Sequence, residues 1–184
     1  MPIATGRALL DPCPALKKAR LSSDMLFADL GAGMLGHFVF PAAEIVGAEG
    51  RVYAVDILKV VLESIESRAR LESVTNVLTL WGDFERDQGV DIKDGTLDVV
   101  SLVGVVNPAM KSPMVFKEVK RLLKPGGHLL FIDWKPEAGS IVIKSEDRVD
   151  VELARQAAEQ NGFRLIEKFD AGTQHWGLVL QKAS

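Results

Sequence analysis

Phe27-Ala28-Asp29-Leu30-Gly31-Ala32-Gly33-Met34-Leu35-Gly36 joins a short apolar run to three closely spaced glycines, with a carboxylate just before the turn. Glycine tolerates the positive φ of a sharp strand-to-helix turn and lets a ligand approach the backbone closely. Such a loop on its own is also an ordinary tight turn, so its meaning depends on what the following strands carry. The next apolar run, residues 51–55, ends at Asp56, and the run 77–81 ends in Gly82-Asp83-Phe84. Acids thus recur at the same end of three successive strands. Asp56 suits two ribose hydroxyls, and Asp83 suits an exocyclic amino group. Each aspartate by itself is equally a turn former.

Working outward, compact apolar runs alternate with amphipathic segments, the pattern of βαβ units. The pattern predicts strands at 25–30, 51–55, 77–81, 97–103, 128–133, 163–169 and 175–181. Helices are expected at 37–46, with Pro41 in the first turn, and at 58–71, where Val61, Leu62, Ile65 and Ala69 recur at helical spacing. Two more are expected at 112–123 and 148–161, the latter closed by Gly162. Residues 82–96 are polar and give only a weak helical signal, which fits a short helix or a loop. The link 170–174 is too short for a parallel crossover, so the last two strands form an antiparallel pair. The expected fold is α/β, a Rossmann-like seven-stranded sheet in the order 3-2-1-4-5-7-6 with strand 7 antiparallel and helices on both faces.

The 184 residues are 47% hydrophobic and 26% charged, which fits one domain over 1–184, with residues 1–23 as a leader or partial lid. A net charge of −3 disfavours a phosphate-neutralising surface, so nucleic acid is not the expected partner. The single cysteine, Cys13, fits a reducing, cytoplasmic setting and excludes a multi-cysteine metal site. Arginine, aspartate and prolines interrupt the N-terminal apolar residues, and no run approaches the length of a membrane span.

The motifs Asp29-Leu30-Gly31-Ala32-Gly33, Val55-Asp56-Ile57, Gly82-Asp83-Phe84, Leu97-Asp98-Val99-Val100 and Arg121 through Leu129 (RLLKPGGHL) resemble those of the class I S-adenosylmethionine-dependent methyltransferases. The similarity runs from about residue 21 to 182 and is strongest toward small bacterial enzymes related to the quinone-biosynthesis group. It implies that Asp29, Gly31, Ala32 and Gly33 hold the methionine part of S-adenosylmethionine. It further implies that Asp56 holds the ribose, that Ile57 packs on the adenine, that Gly82, Asp83 and Phe84 bind the adenine rim, and that Val103 lines the floor near the sulfonium. One departure is Gly31-Ala32-Gly33-Met34-Leu35-Gly36, formally a dinucleotide fingerprint, with Asp56 twenty residues beyond Gly36. The alternatives are therefore an NAD(P)-dependent oxidoreductase and a non-catalytic cofactor-binding subunit. The Lys124-Pro125-Gly126-Gly127 turn, the terminal strand pair and the lack of room for a substrate domain favour the methyltransferase.

The expected acceptor is a small molecule entering above the fourth and fifth strands, near residues 107–110 and 134–137, with a homo-oligomer left open. Segments 3–20, 106–111 and 134–145 are candidate lids. His37, His128 and His175 are the histidines to test as bases, the last two reading as structural, and no base is assigned. Trp134 and Trp176 are either pocket walls or core. Arsenic chemistry through several cysteines does not fit a chain with one.

Overall fold

The computed structural model describes residues 10–105, 110, 112–137 and 148–183. Strands β1 (Leu26–Leu30), β2 (Arg51–Asp56), β3 (Val77–Trp81), β4 (Leu97–Val103), β5 (Leu123–Trp134), β6 (Phe163–Asp170) and β7 (His175–Lys182) form one sheet in the order β3-β2-β1-β4-β5-β7-β6. The pairs among β1 to β5 are all parallel, whereas β7 runs antiparallel to both β5 and β6. This is the expected topology. It sends the carboxyl ends of β1 to β5 to one edge, where ligands of open α/β sheets bind.

Helices α1 (Pro12–Lys18), α2 (Val39–Val46) and α3 (Lys59–Leu71) pack on one face, and α4 (Pro113–Leu122) and α5 (Val151–Gln160) on the other. Two apolar layers result, so the central strands are buried on both faces and read as continuous apolar runs. Pro41 falls in the first turn of α2, where a missing N–H costs nothing. The expected periodicity of α3 is realised, with Val61, Leu62, Ile65 and Ala69 buried. Ser112 caps α4 ahead of Pro113, Asp150 caps α5, and Gly162 at φ +88° ends α5.

Two features differ from the sequence expectation, and a third segment, open between a short helix and a loop, takes the second form. Residues 10–21 contain α1, whose Ala15 and Leu16 join Ala19 and Leu21 in the core, so this part of the expected leader is packed structure. Asp11 accepts from the Cys13 amide and Pro12 opens the helix, start signals easily mistaken for a proline-broken leader. The fifth strand starts at Leu123 rather than at 128, directly from the end of α4. Leu97 pairs with Leu123 and Val99 with His128, so the Lys124–Gly127 turn is a bulge inside β5, with Gly126 at φ +75°. Residues 82–96 form turns with no helix. They are held by Arg121, which donates to the Ile92 and Val90 carbonyls at 2.8 Å each and pairs with the buried Glu118. Among the described residues no helix is long and apolar enough to cross a membrane.

Candidate active site

Asp29 lies near the end of β1 and is 3% exposed. The Ser101 hydroxyl, from the middle of β4, donates to its Oδ1 at 2.6 Å. Burial pushes the Asp29 carboxyl up to about 7, the Ser101 bond opposes this, and the nearby Asp56 charge adds to it. Ser101 was missed from sequence. A hydroxyl inside the apolar run of a central strand needs a buried partner, and that was the available signal.

The glycine loop turns sharply, with Gly31, Gly33 and Gly36 all at positive φ. The Gly31 and Ala32 amides donate to the Val55 carbonyl at 2.9 and 3.1 Å, and the Gly33 amide donates to Asp56 Oδ2 at 3.3 Å. Asp56 Oδ1 accepts from the Leu58 amide at 2.9 Å, which fixes the carboxylate where α3 begins. Each carboxylate oxygen keeps a second lone pair that a hydroxyl can use. A Cβ on Gly31 would sit 2.8 Å from Val105 Cγ1, whereas one on Gly33 would meet nothing within 4 Å. The loop is therefore tight against Val105, just past β4, at Gly31 and open at Gly33.

This geometry separates the two cofactor readings. A pyrophosphate loop offers free amides and the exposed amino end of a helix. Here the amides of three consecutive loop residues are already engaged, two carboxylates face the turn, and α2 begins after Phe38, which is 2% exposed. The local field opposes a polyanion and suits a positively charged ligand bearing a ribose.

The remaining predicted residues lie along the same edge. Ile57 is half exposed, and its carbonyl accepts from Trp81 Nε1 at 2.9 Å. Gly82 is packed against Val55 and Val90, and its amide donates to the Asp56 carbonyl. Asp83 accepts from the Glu85 amide at 3.1 Å and pairs with Arg86 at 3.0 Å, so its own turn already engages it. The Phe84 ring reaches to 3.9 Å from the Gly31 Cβ position, drawing the third strand end toward the loop. Val103 ends β4 half-buried, followed by Gly104 at φ +69° and by Val105, a contact of Gly31 that sequence reading did not single out.

His37 Nε2 lies 2.7 Å from the Leu10 carbonyl, so that nitrogen carries a proton and is committed to the N-terminal segment. His128 is buried at the opposite, amino-end edge of the parallel strands, where desolvation and Arg20 hold its basicity down. His175 is buried, with its ring 4.2 Å from that of Trp134. Trp176 is core, edge-on to Phe131 at 5.4 Å. Of the acceptor segments, residues 107–109 lie outside the described residues, as do 3–9, 106, 111 and 138–145 of the candidate lids.

The methyltransferase domain family matches residues 21–161. The chain belongs to that family, and the cofactor of this class I domain is S-adenosylmethionine. It is 34% identical over 130 residues to an arsenite methyltransferase of Aquipseudomonas alcaligenes, covering 68% of this chain and 34% of that protein. It is also 29% identical over 98 residues to a demethylmenaquinone methyltransferase of Lactococcus lactis, covering 53% and 38%. The chain thus spans about a third of the length of these curated relatives. The structure of an S-adenosylmethionine-dependent methyltransferase from Aquifex aeolicus superposes with a TM-score of 0.87 at 23% identity, covering 95% of this chain and 91% of that one.

Proposed function

We propose that this chain binds S-adenosylmethionine along the carboxyl ends of β1 to β4 and transfers its methyl group to a small molecule arriving over β4 and β5. The observation that carries this reading is the acidic glycine turn, in which Asp29 and Asp56 flank a loop whose first three amides, of Gly31, Ala32 and Gly33, are engaged. Asp29 and the Gly31, Ala32 and Gly33 backbone hold the methionine moiety. Asp56 holds the ribose, Ile57 covers the adenine, and Gly82, Asp83 and Phe84 form its rim, for which Asp83 exchanges its contact with exposed Arg86. Val103 lines the floor. The bound cofactor supplies a methyl group activated by a positively charged sulfur. The chain contributes alignment, exclusion of water and a negative field, and such chemistry needs no obligatory catalytic side chain.

No base is assigned, because His37 Nε2 is tied to Leu10 and His128 lies at the opposite edge. Arsenite as acceptor fits this chain poorly, since a soft arsenic(III) centre calls for several thiolates and the chain supplies only Cys13. The acidic balance supports a small molecule over a polynucleotide. Incubation of the protein and S-adenosylmethionine with a cellular small-molecule fraction should accumulate the demethylated cofactor. Accumulation only after a second protein is added would instead make this chain a subunit of a larger enzyme. In Asp56→Ala, loss of charge-assisted hydrogen bonds should weaken cofactor binding by about 1.5–3 kcal/mol, and full retained affinity removes the ribose assignment.

A further inference from the structure

The free edge of the sheet at β3 is uncharged, unbulged and uncovered among the described residues, and it is shaped to meet itself. The strand reads Val77-Leu78-Thr79-Leu80-Trp81, without the lysine or proline that usually protects such an edge. Its inner ladder uses the even positions, as the Val52 amide bonding the Asn76 carbonyl and the Gly82 amide bonding the Asp56 carbonyl show. Val77, Thr79 and Trp81 therefore turn their amides and carbonyls outward. On the helix-bearing face, beside Val77 and Thr79, lies a groove of about 450 Å³ with Ala69, Val74 and Val77 among its apolar walls and Glu66 and Arg70 on its rim. Trp81, 53% exposed, stands on that same face at the other end of the strand. Leu78, 40% exposed, stands on the opposite face with Leu80.

We infer that β3 pairs antiparallel with β3 of a second copy about a two-fold axis at Thr79, making one sheet continuous through two chains. This register sets Val77 opposite Trp81 of the second copy, so each exposed indole face meets the other chain's apolar groove. It also sets Leu78 opposite Leu80, closing an apolar cluster on the opposite face. The axis keeps both α3 helices on one face, antiparallel to each other. Glu66, whose carboxylate accepts from the Thr79 hydroxyl at 2.5 Å, lies near the axis. Exposed Glu63 of one copy then lies opposite exposed Arg70 of the other, giving an opposite-charge pair on each side of the axis that offsets the two like-charged Glu66 carboxylates near it.

Sedimentation velocity from low to high micromolar concentration should show a species of twice the chain mass. Leu78→Lys places like charges in the leucine cluster, and Thr79→Pro removes an outward amide that the inner ladder does not use. Each should shift the dimer midpoint at least tenfold higher, with the folded circular-dichroism spectrum retained. Glu63→Arg and Arg70→Glu should each weaken the dimer, and the double variant should restore it, which a merely misfolded protein cannot do. A monomer at all concentrations, a dimer indifferent to Leu78→Lys and Thr79→Pro, or failure of the charge-reversal pair to compensate overturns the pairing.

Discussion

Replacing Asp29 with asparagine should stabilise the protein at alkaline pH while weakening its hold on the cofactor. The carboxyl is buried and pushed up from 3.8 to about 7, so the folded chain binds a proton that the unfolded chain releases across that window. A raised folded pKa gives stability fully present below about pH 4 and lost as pH rises through 7. About 3 units at 1.36 kcal/mol each puts the loss on the order of 4 kcal/mol above pH 7. The substituted amide keeps an oxygen to accept from Ser101 and carries no charge to desolvate. Urea unfolding from pH 4 to 8.5 should therefore show the variant's stability advantage over the wild type growing through the window, the two converging at pH 4, while titrations common to both proteins, such as that of buried His128, cancel in the difference. Cofactor affinity should move the other way. A cationic ligand favours ionised Asp29, so wild-type affinity should rise as pH is raised toward 7, by up to tenfold per unit, with proton release. The variant should bind more weakly and without that slope. Parallel stability profiles for the two proteins, or a wild-type affinity independent of pH, would refute the reasoning.

Two glycines of one loop should respond differently to alanine. Gly31→Ala meets Val105 at 2.8 Å and a φ of +84°, so thermal stability should fall, whereas Gly33→Ala meets open space at φ +65° and should cost only about 1–2 kcal/mol while impairing cofactor binding out of proportion. Arg121→Met strands Glu118, 1% exposed, and releases the Val90 and Ile92 carbonyls, so a loss of about 3–5 kcal/mol is expected in denaturant titrations, with proteolysis of residues 82–96 as its local sign. Substitutions at Trp134 and Glu137 should lower turnover with cofactor affinity nearly unchanged by calorimetry. Equal loss of both would move the acceptor elsewhere.

The topology was legible because its signals are local and repeated. Seven apolar runs, glycine and proline stops, and a link of a few residues before the last strand leave little freedom in how the sheet is wound. The α1 helix was not legible, because a seven-residue helix opened by Pro12 gives too short a periodicity to separate from a broken leader. The start of β5 was misplaced because Lys124-Pro125-Gly126-Gly127 reads as a stop, while the strand absorbs it as a bulge at Gly126. In the site, the strand-end acids could be read from spacing alone. Their partners could not, since the bonds from Ser101 to Asp29 and from Gly33 to Asp56 span 72 and 23 residues. Nor does sequence show that the first three amides of this G-x-G-x-x-G loop, those of Gly31, Ala32 and Gly33, are already spent within the chain. That fact is what separates a site for a cation from one for a pyrophosphate.

Isothermal titration of the protein at pH 8 with S-adenosylmethionine, its demethylated product and a reduced nicotinamide dinucleotide tests this separation most directly. Micromolar binding of the first two, about −8 kcal/mol, with the dinucleotide at least a hundredfold weaker, is the predicted result. Binding of the dinucleotide as tight as or tighter than that of S-adenosylmethionine would contradict it.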